Sequence, residues 1–321
     1  VFSDYHHFQT FDGLRIRWGH SPAPQSSSRG TVVLLNGRTE YMEKYFETAA
    51  DLNQRGWAVY SLDWRGQGLS ERLMDNRLKG HVGRFRDYLD DLAQLIGLIQ
   101  ENGAPPPWML MAHSMGAHIG LRFLRERQHP FACAVLISPM IDVQLPHVPR
   151  PLLCGLVQTV ARLGFSRAYA PGMAAYAHKD RIFSHNPFTN DLQRFKRRVD
   201  EITVNPQLAL GGVTYGWLQA ALASIERLDA PDFARGLTLP LLIARGTDER
   251  IVCLAAQARF CRQAPDCRRV DIPGGRHELL LETDARRRLL WQAIDRFTAA
   301  VFSETHVAKP PRPPNVHGTA D

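Results

Sequence analysis

Hydrophobic positions along the chain alternate between two rhythms. Residues 6–11 and 14–18 alternate apolar and polar around Asp12 and Gly13, a strong hairpin signal, and predict an opening antiparallel pair. A Ser/Pro-rich loop over 21–30 follows, then a short β-branched and apolar run over 31–35 that reads as a buried strand. Residues 42–55 carry a helical pattern stopped by Gly56, and 57–62 read as the next strand, leading into the glycine-rich turn 63–70. Phe85, Tyr88, Leu89, Leu92, Leu95, Ile96 and Ile99 fall at helical spacing and form one apolar stripe, ended by Asn102 and Gly103. An apolar run from Trp108 enters a helix carrying Ile119, Leu121 and Leu124, and 132–138 is again strand-like.

This alternation predicts an α/β domain with a doubly wound, mostly parallel sheet covered by helices on both faces. Between Ile141 and Gly236 the rhythm changes to helical stretches such as 192–202 and 207–228, with no convincing strand. A helical insertion after one strand is most economically a cap over the carboxyl edge of the sheet, where such sheets bind ligands. The α/β pattern resumes with a strand at 239–244, a helix near 254–262, a strand at 269–272 and a final helix from Asp284 to about 302. The expected organisation is a core of residues 1–141 and 237–302, a cap over 142–236, and a Pro-rich, disordered or extended tail over 303–321.

The chemistry centres on Ser114. It stands between an apolar strand and a helical pattern, flanked by Ala112 and Gly116, as in a strand–turn–helix nucleophile elbow. A serine hydroxyl is a weak nucleophile, and a sharp turn exposes its Oγ to a base while aiming the next N–H at the developing oxyanion. With chain order serine, acid, histidine, the partners are Asp248, just past a strand, and His277, on a glycine-rich loop before the last helix. Asp248 competes with a plain N-cap role and with Asp142 as a rival acid; His113 and His118, beside the serine, read as packed or surface residues. The oxyanion donors expected are the backbone N–H groups of Met115 and of Arg38, the latter in the loop after the strand ending at Leu35.

Composition changes this picture little. The hydrophobic content of 44% supports a sizeable core, and the +7 formal charge favours anionic partners without a block dense enough for a nucleic-acid arm. Five cysteines without a C-x-x-C pair argue against a disulfide framework and a zinc site and favour a reducing compartment. No run reaches the ~20 apolar residues that span a bilayer, and no signal peptide is visible. The expectation is a cytoplasmic protein, with peripheral contact to an anionic membrane face allowed by its charge, and no identifiable partner protein.

From about residue 8 to 302 the chain resembles the bacterial lysophospholipase and monoacylglycerol lipase branch of the α/β-hydrolases, a serine aminopeptidase-like group. The residues that carry the likeness are Asn36, Gly37 and Glu40, where the family usually has His-Gly-x-x-Glu; the turn Asp63 to Ser70; Ala112 to Gly116; Gly246 to Asp248; and Gly275 to Leu279. The segments 80–85 and 184–190 resemble the lysophospholipase subgroup. The resemblance implies hydrolysis of a single acyl ester of a small lipid-like substrate through an acyl-enzyme on Ser114, with no metal or cofactor. It implies an apolar acyl channel in the cap, for which Leu153, Phe165, Phe188, Trp217 and Leu218 are candidate lining. Arg194, Lys196, Arg197 and Arg198 are candidates for meeting phosphate or an anionic leaflet, against the plainer reading of solvated charge. The alternatives are a related hydrolase of small esters, lactones or N-terminal-proline peptides, and a non-catalytic ligand-binding homologue.

Overall fold

The computed structural model describes residues 2, 4–24, 28–144 and 149–305. Eight strands form one sheet in the order β1-β2-β4-β3-β5-β6-β7-β8. The strands are β1 (Asp4–Gln9), β2 (Arg15–Ser21), β3 (Gly30–Leu35), β4 (Trp57–Leu62), β5 (Trp108–His113), β6 (Phe131–Ile137), β7 (Leu241–Gly246) and β8 (Cys267–Ile272). The first two pair antiparallel around Gly13, as the hairpin signal predicts, and β2 pairs antiparallel with β4; every pairing from β4 to β8 is parallel. Every residue of β3, β4 and β5 is buried, the expected state of parallel strands covered on both faces.

The two-residue side-chain period sorts this core into two layers. Val32 and Leu34 face α1 (Phe46–Gln54) and α8 (Asp284–Thr305), meeting Leu52, Leu290, Ile294 and Phe297. Val33 and Leu35 face α2 (Phe85–Glu101) and α3 (Met115–Glu126), meeting Leu92, Ile96, Ile119 and Phe123. The helix expected over 42–55 begins as a 3₁₀ turn, Met42–Tyr45, before α1. The last helix runs beyond 302, so the first residues assigned to the tail are helical; residues 306–321, the rest of that tail, lie outside the described residues.

Among the described residues no strand lies between β6 and β7, and the insertion is helical: α4 (Arg150–Arg162), α5 (Leu192–Val204) and α6 (Tyr215–Leu228). Asp191 caps α5 by accepting from Gln193 N and Arg194 N at 2.9 Å each, and Thr214 caps α6 through Trp217 N at 3.2 Å. The stretch 207–228 is not one helix. The N–H of Gly211 donates to Leu78 O at 2.9 Å and that of Gly212 to Ala174 O at 2.7 Å, so backbone donors needed for a helix are engaged elsewhere.

One cysteine pair is joined where none was expected. Cys261 and Cys267 form a disulfide from α7 (Leu254–Gln263) to the first residue of β8. The tight connection between helix and strand holds their Cα atoms 5.3 Å apart, inside the range a disulfide spans. Cys133, Cys154 and Cys253 are free. One bridge is no framework, yet it removes the premise from which a reducing compartment was inferred. Among the described residues no helix is long and apolar enough to cross a membrane.

Candidate active site

Ser114 occupies the turn between β5 and α3 with φ 51° and ψ −115°, a left-handed conformation that costs a non-glycine residue energy. Backbone bonds hold it there: its N–H donates to Ile137 O at 3.0 Å, and its carbonyl accepts from His118 N and Met140 N at 3.1 Å each. Gly116 is required two residues on, because a Cβ would stand 2.4 Å from Asn36 O and 2.6 Å from Leu35 O. The end of β3 therefore passes directly against the elbow, which seats the loop 36–38 beside Ser114. Met115 opens α3, so its N–H is among those a helix start leaves without an i−4 carbonyl.

His277 sits on the loop after β8. Its Nε2 lies 2.9 Å from Ser114 Oγ and accepts the serine proton, and its Nδ1–H faces Glu249 Oε2 at 2.7 Å. All three residues are buried; Ser114 retains 8% exposure. The acid beside His277 is thus Glu249 and not Asp248, whose side chain is exposed. The loop after β7 is pinned by Thr247 N to Ile272 O at 3.1 Å and Asp248 N to Gly275 O at 2.9 Å. That leaves the next side chain, Glu249, directed inward. Its Oε1 accepts from Ile251 N at 2.7 Å and Val252 N at 3.3 Å, leaving Oε2 for the imidazole. Contact between the two loops depends on Gly246, where a Cβ would lie 2.0 Å from Gly275 O. Burial pushes the Glu249 carboxyl up, but the His277 hydrogen bond and charge and the two backbone donors outweigh it and hold the group below the usual carboxylate range. The rival Asp142 is engaged by Val143 N and Arg150.

Behind the serine lies a second buried polar cluster that sequence reasoning missed. Glu40 accepts from Lys44 Nζ at 2.6 Å, Tyr45 O–H at 2.6 Å and His113 Nδ1 at 3.0 Å, and also from Gly37 N. Lys44 also reaches Glu278 at 2.7 Å, and His113 Nε2 donates to the His277 carbonyl at 3.2 Å. Burial would pull the His113 imidazole down, but the Glu40 carboxylate beside it raises it above its ordinary value. Both of its ring nitrogens face acceptors, the Glu40 carboxylate and the His277 carbonyl. The cluster ties the loop after β3, the elbow strand and the His277 loop together. In sequence Glu40, His113 and Glu278 show only as members of the family-like motifs and Lys44 only by its i, i+4 spacing from Glu40, with nothing to join them.

The candidate cap residues disperse. Phe188 lines a cavity of about 230 Å³ between the cap and the loop 36–38. Trp217 is buried against Phe85, with ring centroids 5.6 Å apart, and Leu218 packs on the main core. Leu153 is half-buried on α4 and Phe165 is exposed. Of the basic group, Arg194 pairs with Glu47, Asp191 and Asp284, Arg197 pairs with Glu47, and Lys196 is exposed. Arg198 turns inward to the cavity.

A mostly parallel sheet with a strained serine elbow and a histidine and an acid on later loops defines an α/β-hydrolase with a serine nucleophile site. The profile of the serine aminopeptidase, S33 family matches residues 26–284, and the chain belongs to that family. It is 31% identical over 284 residues to the probable lysophospholipase L2 of Haemophilus influenzae, covering 88% of each chain. It is 33% identical over 280 residues to lysophospholipase L2 of Escherichia coli strain K12, covering 83% of this chain and 79% of the relative. Among solved structures, a soluble variant of monoglyceride lipase from Saccharomyces cerevisiae in complex with a substrate analog aligns with a TM-score of 0.72 at 19% identity, covering 93% of this chain and 96% of that one.

Proposed function

We propose that this protein hydrolyses the carboxylic ester of a single-acyl lipid, a lysophospholipid or a monoacylglycerol, through an acyl-enzyme on Ser114. The observation that carries the reading is the relay from Ser114 Oγ to His277 Nε2 at 2.9 Å and from His277 Nδ1 to Glu249 Oε2 at 2.7 Å. Oγ attacks the ester carbonyl as its proton passes to Nε2. Glu249 holds the ring orientation and stabilises the imidazolium that forms. The backbone N–H groups of Arg38 and Met115 receive the oxyanion. Collapse expels the glycerol-side oxygen, which takes the proton from Nε2. His277 then deprotonates a water that cleaves the acyl-enzyme and regenerates Ser114. Likeness to lysophospholipases over most of their length supports the lipid substrate, and the basic balance supports contact with an anionic bilayer surface.

A fluorophosphonate probe labels Ser114 in the native protein, and Ser114→Ala loses both labelling and turnover while keeping the native circular dichroism spectrum. Turnover retained by Ser114→Ala overturns the mechanism. A panel of lyso-lipid, short ester, lactone and prolyl amide reads the substrate class, and the absence of any preference for long acyl chains overturns the lipid assignment.

A further inference from the structure

The cavity between the cap and the loop 36–38 is lined by two guanidinium groups that, among the described residues, form no ion pair. Arg38 donates through Nη1 to the Gly211 carbonyl at 2.8 Å and lies over the Trp217 ring, 5.9 Å from its centroid. Arg198 donates through Nη2 to the Asp180 carbonyl at 3.0 Å and lies over the rings of Phe188 and Phe195, 5.3 and 5.0 Å from their centroids. Among the described residues its Nε is buried with no partner, as is the hydroxyl of Tyr176, which lines the same cavity. Among the described residues neither arginine is paired with a carboxylate, whereas Arg194 and Arg197 on the same helix as Arg198 both are. The one acid among the described residues of the lining, Asp180, accepts from Ala177 N in its own turn at 2.8 Å. Lys179 adds a third cation to the lining.

Withdrawing a cation from water without a counter-ion is costly, and a buried N–H and a buried hydroxyl left unpartnered each add to the cost. An anion with several acceptor oxygens offsets both at once. Guanidinium forks match the oxygens of phosphate, and the aromatic faces under Arg198 hold its plane fixed. Burial also pulls the Arg38 guanidinium down to about 10, the direction that a bound anion would reverse. The cavity adjoins the reacting centre at two points. Arg38 belongs to the loop that passes the elbow, and the Phe188 carbonyl accepts from Glu278 N at 2.8 Å, one residue beyond His277.

We propose that Arg198 and Arg38, with the Tyr176 hydroxyl, form a subsite for the phosphate ester of a lysophospholipid headgroup, so that the protein selects phosphate-bearing single-acyl lipids over neutral monoacylglycerols. This rests on the hydrolase reading above and narrows its substrate. The test compares lysophosphatidylethanolamine with a monoacylglycerol of the same acyl chain. Arg198→Met lowers the ratio of their kcat/KM values at least about tenfold, the scale of a lost charge-assisted hydrogen bond, and Arg198→Lys restores part of it. A ratio left unchanged, or an equal fall on both substrates, overturns the subsite. Inorganic phosphate that inhibits native protein and Arg198→Met equally on both substrates marks a site for free phosphate elsewhere, and overturns it too. Calorimetric titration of glycerophosphoethanolamine into Ser114→Ala reads the subsite without turnover. Binding weakened at least about tenfold by adding Arg198→Met supports it. Absent binding overturns it, while binding retained in a protein whose native form turns over neither lipid overturns the hydrolase reading alone.

Discussion

The core and the cap of this protein are built on opposite terms. In the core, the central strands are buried along their whole length, and the charged groups beneath the elbow are matched one against another: Glu40 and Glu278 with Lys44 and His113. In the cap, α4 buries only Val157 of its thirteen residues, while Leu152, Leu156 and Leu163 are each more than half exposed. Among the described residues, the arginines lining the cap cavity are paired with no carboxylate. A catalytic constellation needs groups held to fractions of an ångström, which matched buried charges in a close-packed core supply. Selection of a lipid needs surface and charge left unsatisfied until the ligand arrives. On the proposals above, the chemistry resides in the part whose buried charges are matched, and the choice of substrate in the part whose arginines are not.

The sharpest way to break this comparison is at the acid. Glu249→Ala removes the acceptor that fixes the His277 tautomer, and is expected to lower kcat about 10⁴-fold, as loss of the orienting acid does in serine hydrolases generally. Asp248→Asn, one residue earlier but exposed, is expected to stay near the native rate. Parallel steady-state assays decide it, and the reverse order of effects would return the acid to Asp248 and dissolve the geometric account of the loop.

Next in size is the lattice behind the serine. Lys44→Met leaves the Glu40 and Glu278 carboxylates buried with one cation fewer between them. The expected loss is about 3–5 kcal/mol in a urea unfolding series, the penalty for orphaning a buried charge. Arg259→Met breaks the half-exposed pair with Asp229, 2.7 Å apart, and is expected to cost under about 1 kcal/mol. Equal effects at both sites would mean that the core's charges hold it no more firmly than surface pairs do.

The same division explains what was legible along the chain. The sheet, the two helical layers and the elbow could be read because buried parallel strands are apolar throughout, and because a serine between a strand and a helix with Gly116 behind it has few other uses. The acid could not. Asp248 and Glu249 are neighbours, and which one turns inward depends on how the loop after β7 is pinned to Ile272 and Gly275. The cap was the least legible. Periodicity does not say which apolar residue meets a cavity, so Phe188 reached one while Trp217 joined the core and Phe165 faced solvent. Four cations within residues 194–198 look alike in sequence, yet Arg194 finds Glu47 and Asp284, 147 and 90 residues away, and Arg198 finds no acid among the described residues. The disulfide was missed because the cysteine count says nothing about the turn that brings Cys261 to Cys267.

The smallest effect concerns the place where core and cap are tied together. His118 on α3 bonds the Met140 carbonyl at 2.8 Å through Nδ1 and the Ser224 hydroxyl, on α6 of the cap, at 2.6 Å through Nε2. It is fully buried, and burial pulls its imidazole down to about 4, with nearby Arg122 reinforcing the shift and the Met140 and Glu126 contributions opposing it. The unfolded chain titrates at the ordinary 6.5, so between pH 4 and 6.5 the unfolded state binds the extra proton. The stability His118 contributes is therefore complete above about pH 6.5 and is lost as pH falls toward 4, a span worth ~3 kcal/mol. The measurement is the difference in unfolding free energy between native protein and His118→Gln. The difference is constant above pH 7 and shifts against the native protein by about that amount on the way to pH 4, although Asp63 and Asp91, pushed up to about 6 by burial, tilt both curves alike in the opposite sense. A difference independent of pH would mean that the histidine is not held neutral, and that the bond from α3 to the cap is not what buries it.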